Sequence, residues 1–321
     1  FNVPDNNSLF KSDIFVLHKR FIDNLIDIGA DGIRADVATI KPYIFWKELI
    51  KYAREKKNDM LFLAEASESW TKPASDKAYF TDYKKLLEAG FDGYYGSYFK
   101  LKDFKTGKEL TNLIQTTQAN LSKFTEPKAV IGSFTTHDEM SPIVINGEKF
   151  SEMIIWLNAK LPVNSYFVDG FDTGDSYIYM WGNKEAPKTY TDDDNYFVHR
   201  GKIDIFNFSG QPKGNSTELL TDFVGGNEIK KQFLKIINNG KFTPLRASSP
   251  SVFAYAISFD NNAIIVIGNL DFRNEAATNV NVPRLSHQVI PIKIKDIPKI
   301  GKGNIQVKLS AGEILVLYSE E

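Results

Sequence analysis

The stretch Gly29-Ala30-Asp31-Gly32-Ile33-Arg34-Ala35-Asp36-Val37-Ala38 limits the fold of this chain more than any other. Apolar-patterned helical sequence runs into Gly29, and strand-like alternation follows. Ile33, Ala35 and Val37 share one face; Arg34 and Asp36 share the other, because successive side chains in a strand point to opposite sides. A guanidinium and a carboxylate on one face of a buried strand are costly unless they are paired or used. Taken alone, the pair also reads as a structural ion pair near a strand end. Two later stretches bear on the choice. Met60-Leu61-Phe62-Leu63-Ala64-Glu65 is an apolar strand ending in a lone carboxylate. Ala129-Val130-Ile131-Gly132-Ser133-Phe134-Thr135-Thr136-His137-Asp138 is another, ending in a His-Asp pair. Apolar strands separated by helical sequence, each ending in acid, predict an α/β parallel barrel whose strand C-terminal ends meet in one active site.

At these residues the chain resembles the alpha-amylase family of glycoside hydrolases and transglycosylases. The family's Gly-x-Arg-x-Asp motif on the fourth strand matches Gly32-Ile33-Arg34-Ala35-Asp36. Its catalytic Glu at the end of the fifth strand matches Glu65, and its His-Asp pair after the seventh matches His137-Asp138. Val3-Pro4-Asp5-Asn6-Asn7 is similar to an earlier motif, Leu-Pro-Asp-Leu-Asn. The resemblance implies a (β/α)8 TIM barrel, with strands four to eight in this chain, followed by a C-terminal all-β sandwich. It implies retaining cleavage of α-1,4-glucosidic bonds through a covalent glycosyl-enzyme.

The chemistry of the matched residues suits those roles. Cleaving a glycosidic bond needs a proton for the leaving oxygen and stabilisation of a cationic sugar, so two carboxylates in different protonation states are required. Asp36 is the candidate nucleophile, kept ionised by Arg34 two residues away. Glu65 is the candidate acid/base, because partial desolvation after an apolar strand favours its protonated form. By the resemblance, Asp138 is the third carboxylate, holding sugar hydroxyls, and His137 donates a hydrogen bond to the same sugar. Trp70, Tyr94, Tyr95 and Trp181 are candidates for stacking on glucose units or for packing, while Trp46 and Trp156 lie on apolar helix faces and read as core.

The sequence departs from the family in places. Thr39-Ile40-Lys41-Pro42 stands where many members have Lys-His, which serve the leaving-group side and a calcium site. No cofactor is therefore expected to be required, and activity without strict calcium dependence is expected, with a structural calcium ion still open. Thr136 replaces a common Asn, and Ala64 a common Gly. The run from Thr39 through Phe45-Trp46, with Phe62-Leu63-Ala64-Glu65-Ala66, is similar to maltosyl-transferring branches.

Taken in order, helical spacing of Ile14, Leu17, Phe21, Leu25 and Ile28 predicts an amphipathic helix over Ser12–Ile28, stopped by Gly29. Further helices are expected at Tyr43–Glu55, Asp82–Ala89, around Leu110–Leu121 and around Met153–Leu161. Strands are expected at Phe91–Tyr95, Ala129–Phe134 and Ser165–Val168. A long aromatic loop, Asp169 to about Asn215, reads as a cleft wall; its Asp192-Asp193-Asp194 run reads as a solvated turn. Helical sequence from Thr217 to Asn238 is interrupted at Gly225-Gly226. Short strand-like runs follow, Val252–Phe259, Ala263–Gly268, Asn279–Val282, Val289–Ile294, Ile305–Leu309 and Ile314–Tyr318, with a hairpin turn at Asp260-Asn261-Asn262. The domain boundary is therefore placed at 240: residues 1–240 belong to the barrel and 241–321 to the sandwich.

The 321 residues carry a net charge of −1, so neither nucleic acid nor an anionic membrane surface is an expected partner. The absence of cysteine excludes disulfides and thiol chemistry. The expected partner is an α-glucan or maltooligosaccharide, and 24 Phe, 14 Tyr and 4 Trp supply rings for such a ligand. Because Phe1 is not an initiator Met, the compartment stays open. Five barrel strands cannot close, so a missing N-terminal part of the barrel is expected to pair with the strands at Ile33–Val37 and Ser165–Val168. Hydrolase and 4-α-glucanotransferase or maltosyltransferase remain alternatives. A non-catalytic amylase-like binding subunit is a reading from another class, and retention of all three carboxylates argues against it. A carbohydrate-binding module in the sandwich is a further reading.

Overall fold

In a computed structural model, the Ser12 hydroxyl accepts a hydrogen bond from the Phe15 N–H at 3.3 Å and opens helix Asp13–Asp27. Gly29, at φ 87°, takes the left-handed conformation that ends it, and the Gly29 and Ala30 N–H groups bond back to Ile26 and Leu25. The structure describes residues 10–67, 81–137, 140–176, 214–283, 288–294 and 298–320. The chain divides into two compact units, Phe1–Phe99 with Thr116–Gly132, and Lys100–Gln115 with Ser133–Glu321.

In the first unit, β1 (Gly32–Ala35), β2 (Leu61–Glu65), β3 (Gly93–Tyr95) and β4 (Ala129–Gly132) lie side by side in chain order, all parallel. Helices Tyr43–Lys56 and Tyr83–Glu88 connect them, giving the expected alternation. The register sets the strand ends level. Ala35 faces Ala64, and Glu65 faces Tyr95. Asp36, one residue past β1, therefore lies beside Glu65. Gly96 leaves β3 at φ 109°, where a Cβ would come within 2.2 Å of the Ala66 carbonyl oxygen. Only glycine lets the chain turn away there, directly beside Glu65.

Arg54 ties down the opposite ends of these strands. Its Nη2 pairs with Asp92 at 2.7 Å and its Nη1 donates to the Gly90 carbonyl at 3.0 Å. Asp92 also accepts from the Phe62 N–H at 2.7 Å. Beneath the sheet, Phe15, Phe45, Trp46, Phe91 and Phe62 form a continuous edge-to-face run with centroid separations of 5.3–6.4 Å. All five are buried, Trp46 as expected.

The first helix differs from expectation. Its buried residues are Phe15 and Ile22. Ile14, Leu17, Phe21 and Ile28 of the expected apolar stripe are 39%, 63%, 57% and 79% exposed. Two apolar stripes run along this helix, and the one beside Phe45 is covered. Strand ends also shift. The expected strand at Ala129–Phe134 stops at Gly132, and that at Ser165–Val168 is reduced to β5, Asn164–Ser165. Among the described residues β1 pairs only with β2.

In the second unit, helix Thr217–Gln232 runs unbroken through Gly225-Gly226, which the sequence marks as an interruption. Gly226 is buried against Ile155, where a Cβ would come within 2.9 Å, so the glycine serves close helix packing. The break falls instead at Phe233, before the short helix Leu234–Asn239. Helix Glu148–Lys160 is buried along most of its length. Its Glu152 is held by Lys149 and by Lys293 at 2.9 Å, and Lys293 also pairs with Asp222 at 2.7 Å.

From Lys241 onward the strands are antiparallel. They are β6 (Lys241–Pro244), β7 (Arg246–Ala247), β8 (Val252–Phe259), β9 (Asn262–Asn269), β10 (Ala276–Asn281), β11 (Gln288–Lys293), β12 (Lys299–Gly301), β13 (Asn304–Leu309) and β14 (Ile314–Glu320). One sheet has the order β11-β14-β9-β8-β6, and the other β12-β13-β10-β7. Between them Val252, Ala254, Ile265, Ile267, Val280, Ile305, Leu309, Leu315 and Leu317 form one apolar layer. The expected hairpin closes at Asp260-Asn261, with Asp260 at φ 52°.

Lys160 is wholly buried, and among the described residues its Nζ has no hydrogen-bond partner. It lies 5.0 Å from the Phe233 ring centroid and 5.9 Å from that of Trp156. Burial pushes its amine down to about 7, and the nearby Lys230 ammonium adds to the effect. Lys230 itself, pushed down to about 8 by burial, donates to the Asn158 and Val163 carbonyls at 2.8 and 2.6 Å. Above the unfolded value near 10.5, Lys160 is neutral in both states. As pH falls from there to about 7, only the unfolded chain takes up the proton, so stability falls and then levels off. Lys160→Met is therefore expected to raise stability at pH 7 by about 3–5 kcal/mol. It should also remove the Lys160 share of the loss of stability between pH 10 and 7, leaving the share of Lys230, which ends near pH 8. Denaturant unfolding of both forms across that range checks it.

Candidate active site

The site of the first unit is organised by Arg34. It projects from β1, which carries it to the sheet's C-terminal rim. Its Nη1 pairs with Asp36, its Nη2 pairs with Glu65 Oε1 at 2.5 Å, and its Nε donates to the Tyr95 hydroxyl. One guanidinium thus holds a group from each of three neighbouring strand ends. Burial opposes its charge, but Tyr95, Glu65 and Asp36 outweigh this and its pKa is raised.

The two carboxylates stand in different surroundings. The Asp36 side chain is 74% exposed and that of Glu65 1%. Burial pushes the Glu65 carboxyl above its usual range, and the neighbouring Asp36 carboxylate adds to the rise. The Val37 N–H, which donates to Glu65 Oε2 at 3.0 Å, and the Arg34 charge act in the opposite direction.

Val37 holds an unusual backbone, φ 36° and ψ 58°, and caps a 3-10 turn at Ala38–Ile40. For a β-branched residue this left-handed conformation is strained by about 1–3 kcal/mol. The turn is fixed from two sides. The Ile40 N–H donates to the Val37 carbonyl at 2.9 Å, and the Trp46 indole N–H to the Ala38 carbonyl at 2.7 Å.

Of the residues singled out in the sequence, Arg34, Asp36, Glu65 and Tyr95 come together. Tyr95 is 6% exposed and serves Arg34 through its hydroxyl. Tyr94, one of the stacking candidates, is buried and stacks on Tyr83 at 4.2 Å. His137 lies in an exposed turn of the second unit. Asp138, Trp70, Trp181, the Asp192–Asp194 run and the Val3–Asn7 motif lie outside the described residues. The Tyr95 hydroxyl and the Val37 N–H were not legible as site groups in the sequence. Among the described residues no group of three or more His, Asp or Glu side chains could hold a metal ion, and no helix is long and apolar enough to cross a membrane.

No protein-family model matches the chain, and no curated protein matches its sequence. Solved structures do match its fold. A noncanonic maltogenic alpha-amylase, AmyB of Thermotoga neapolitana, aligns with TM-score 0.66 and 13% identity, over 100% of this chain and 67% of that one. An Anoxybacillus alpha-amylase aligns with TM-score 0.66 and 14% identity, over 96% of this chain and 62% of that one. The trehalose-6-phosphate hydrolase of Bacillus licheniformis aligns with TM-score 0.66 and 13% identity, over 97% and 69%. The fold is therefore the one found in alpha-amylases and this related hydrolase. The chain spans 62–69% of the length of these three.

The raised pKa of Glu65 has a consequence for stability. Because its folded value lies above the ordinary 4.5, the native state favours the protonated form. That contribution is complete below the unfolded value and is lost as pH rises through the folded one. Glu65→Gln mimics the protonated form at every pH. It is expected to raise the melting temperature at pH 7, a gain that shrinks towards zero at pH 4. Thermal unfolding of both forms at the two pH values checks it.

Proposed function

We propose that this chain carries the catalytic groups of a retaining α-glucan-active glycosidase that cleaves α-1,4-glucosidic bonds. One observation carries the reading. A single guanidinium holds two carboxylates at level strand ends, one exposed and ionisable, the other buried and biased towards its protonated form. Asp36 attacks the anomeric carbon while Glu65 protonates the leaving oxygen. A covalent glycosyl-enzyme results. Glu65, now ionised, then takes a proton from water or from a sugar hydroxyl as that oxygen attacks the anomeric carbon, and the bond to Asp36 breaks, releasing the sugar and restoring Asp36. Asp138 and His137 grip hydroxyls of the same glucose unit. Trp70 and Trp181 supply stacking faces, and no metal ion is required for turnover.

The same reading makes residues 1–240 the C-terminal portion of a (β/α)8 barrel and 241–321 its sandwich domain. The side of β1 that has no strand partner among the described residues and the exposed Leu17, Phe21 and Ile28 support a further barrel segment beside them. A 4-α-glucanotransferase or maltosyltransferase is the second reading. The Thr39-Ile40-Lys41-Pro42 run favours it, and longer products from maltooligosaccharides distinguish it.

In the complete barrel, Asp36→Asn, Glu65→Gln and Asp138→Asn are each expected to lower turnover at least about a hundredfold; at Glu65 the loss of a positioned acid–base group alone is worth roughly 10²–10⁴. Smaller losses at Asp36 or Glu65 would overturn the assignment. NMR of the first product from an α-linked substrate should show the α-anomer.

A further inference from the structure

Val37 presents a conformation that nothing in its side chain favours. The strain recurs at no other β-branched residue among those described, the other positive-φ non-glycine residue being Asp260 in a hairpin turn. It sits directly after Asp36, and it aims a backbone N–H at Glu65 Oε2, 3.0 Å away. In an extended conformation this N–H would continue the strand ladder instead. Two hydrogen bonds hold the turn in place, from Ile40 to Val37 and from the Trp46 indole to Ala38. Trp46 is itself buried between Phe45 and Phe91, so the clamp is anchored in the aromatic core.

We propose that the Val37 N–H is a positioning donor that fixes the orientation of the Glu65 carboxyl and governs how readily it gives up its proton. The proposal deepens, and rests on, the reading of Glu65 as the acid/base. The Glu65 carboxyl has two oxygens, of which Oε1 stands in ion-pair contact but, among the described residues, has no hydrogen-bond partner, so that only Oε2 accepts a hydrogen bond. Oε1 meets the Arg34 guanidinium and Oε2 meets the Val37 N–H. Arg34 alone would leave the group free to rotate about that one contact. The second donor removes this freedom, and because a backbone N–H carries no ionisable proton it does so at every pH. The charged groups facing Glu65 among the described residues are Arg34, on β1, and Asp36, in the turn that follows. Tyr95 stands level with it on β3. The N–H favours the ionised carboxyl and so opposes burial and Asp36. The strained turn thereby works as a brake on the pKa that desolvation raises.

The test separates the N–H from the side chain. Replacing Val37 by its α-hydroxy analogue through nonsense suppression turns the amide into an ester and deletes only the donor. Val37→Gly keeps the donor and relieves the strain. Isotope-edited infrared titration of the Glu65 carboxyl, identified by its absence in Glu65→Gln, reads the result without any need for activity. With the ester the Glu65 midpoint should rise by roughly one pH unit, the worth of a hydrogen bond to a charged group. The alkaline limb of the kcat profile should follow it, with kcat lowered roughly tenfold by the loosened orientation. Val37→Gly should leave the midpoint within about 0.3 unit, well inside that one-unit effect. Trp46→Phe, which keeps the ring and removes the indole donor, should move it upward by less than the ester does. A midpoint unmoved by both the ester and Trp46→Phe would overturn the proposal, as would a Val37→Gly shift as large as the ester's. Unimpaired turnover in Glu65→Gln would sink the catalytic reading alone, leaving the titration to judge the positioning role.

Discussion

Everything at the rim of the parallel sheet depends on one cation. Arg34 faces a buried carboxylate, an exposed carboxylate and a phenol, and removing it would leave Glu65 buried with the Asp36 charge beside it. An uncompensated buried charge is far more damaging than a lost contact. The arrangement also explains why Arg and not Lys suits position 34. A planar fork can satisfy three acceptors in fixed directions, whereas an ammonium acts as a point charge on a flexible stem.

The site is locally unfavourable, and its surroundings offset that. A left-handed valine, a desolvated glutamate and a partly buried arginine all oppose folding where they stand. The aromatic run from Phe15 to Phe62 lies beneath them, and each fully buried ring contributes roughly 1.5–3 kcal/mol. The Arg54–Asp92 pair fastens the far ends of β2 and β3. Rigid packing beside the strands lets strained geometry persist at their C-terminal ends.

Much of this was legible in the sequence, for physical reasons that differ by residue. Asp36 and Glu65 stood out because acid closes more than one apolar strand, in an order and spacing that resemble one family's motifs, where a single such carboxylate reads equally as a structural ion pair or a loop residue. The antiparallel strands from Lys241 onward showed themselves through alternation and turn residues such as Asp260-Asn261. The stripe on the first helix misled, since a 3.6-residue period marks that an apolar face exists without saying which neighbour covers it. Gly225-Gly226 misled because Gly226, a helix breaker in isolation, is a close-packing residue with Ile155 against it. Val37 and the Tyr95 hydroxyl were invisible, as a backbone torsion and a register-dependent contact between strands leave no mark on composition or spacing.

The exposed stripe of Leu17, Phe21 and Ile28 bears on how copies of this chain meet one another. With a net charge of −1, two copies have little electrostatic repulsion to keep them apart. What governs their encounter is then the attraction between apolar patches, which weakens on cooling and strengthens in sulfate or phosphate salts. Where these side chains stand uncovered they add to that attraction, and a barrel segment laid over them would remove their share of it.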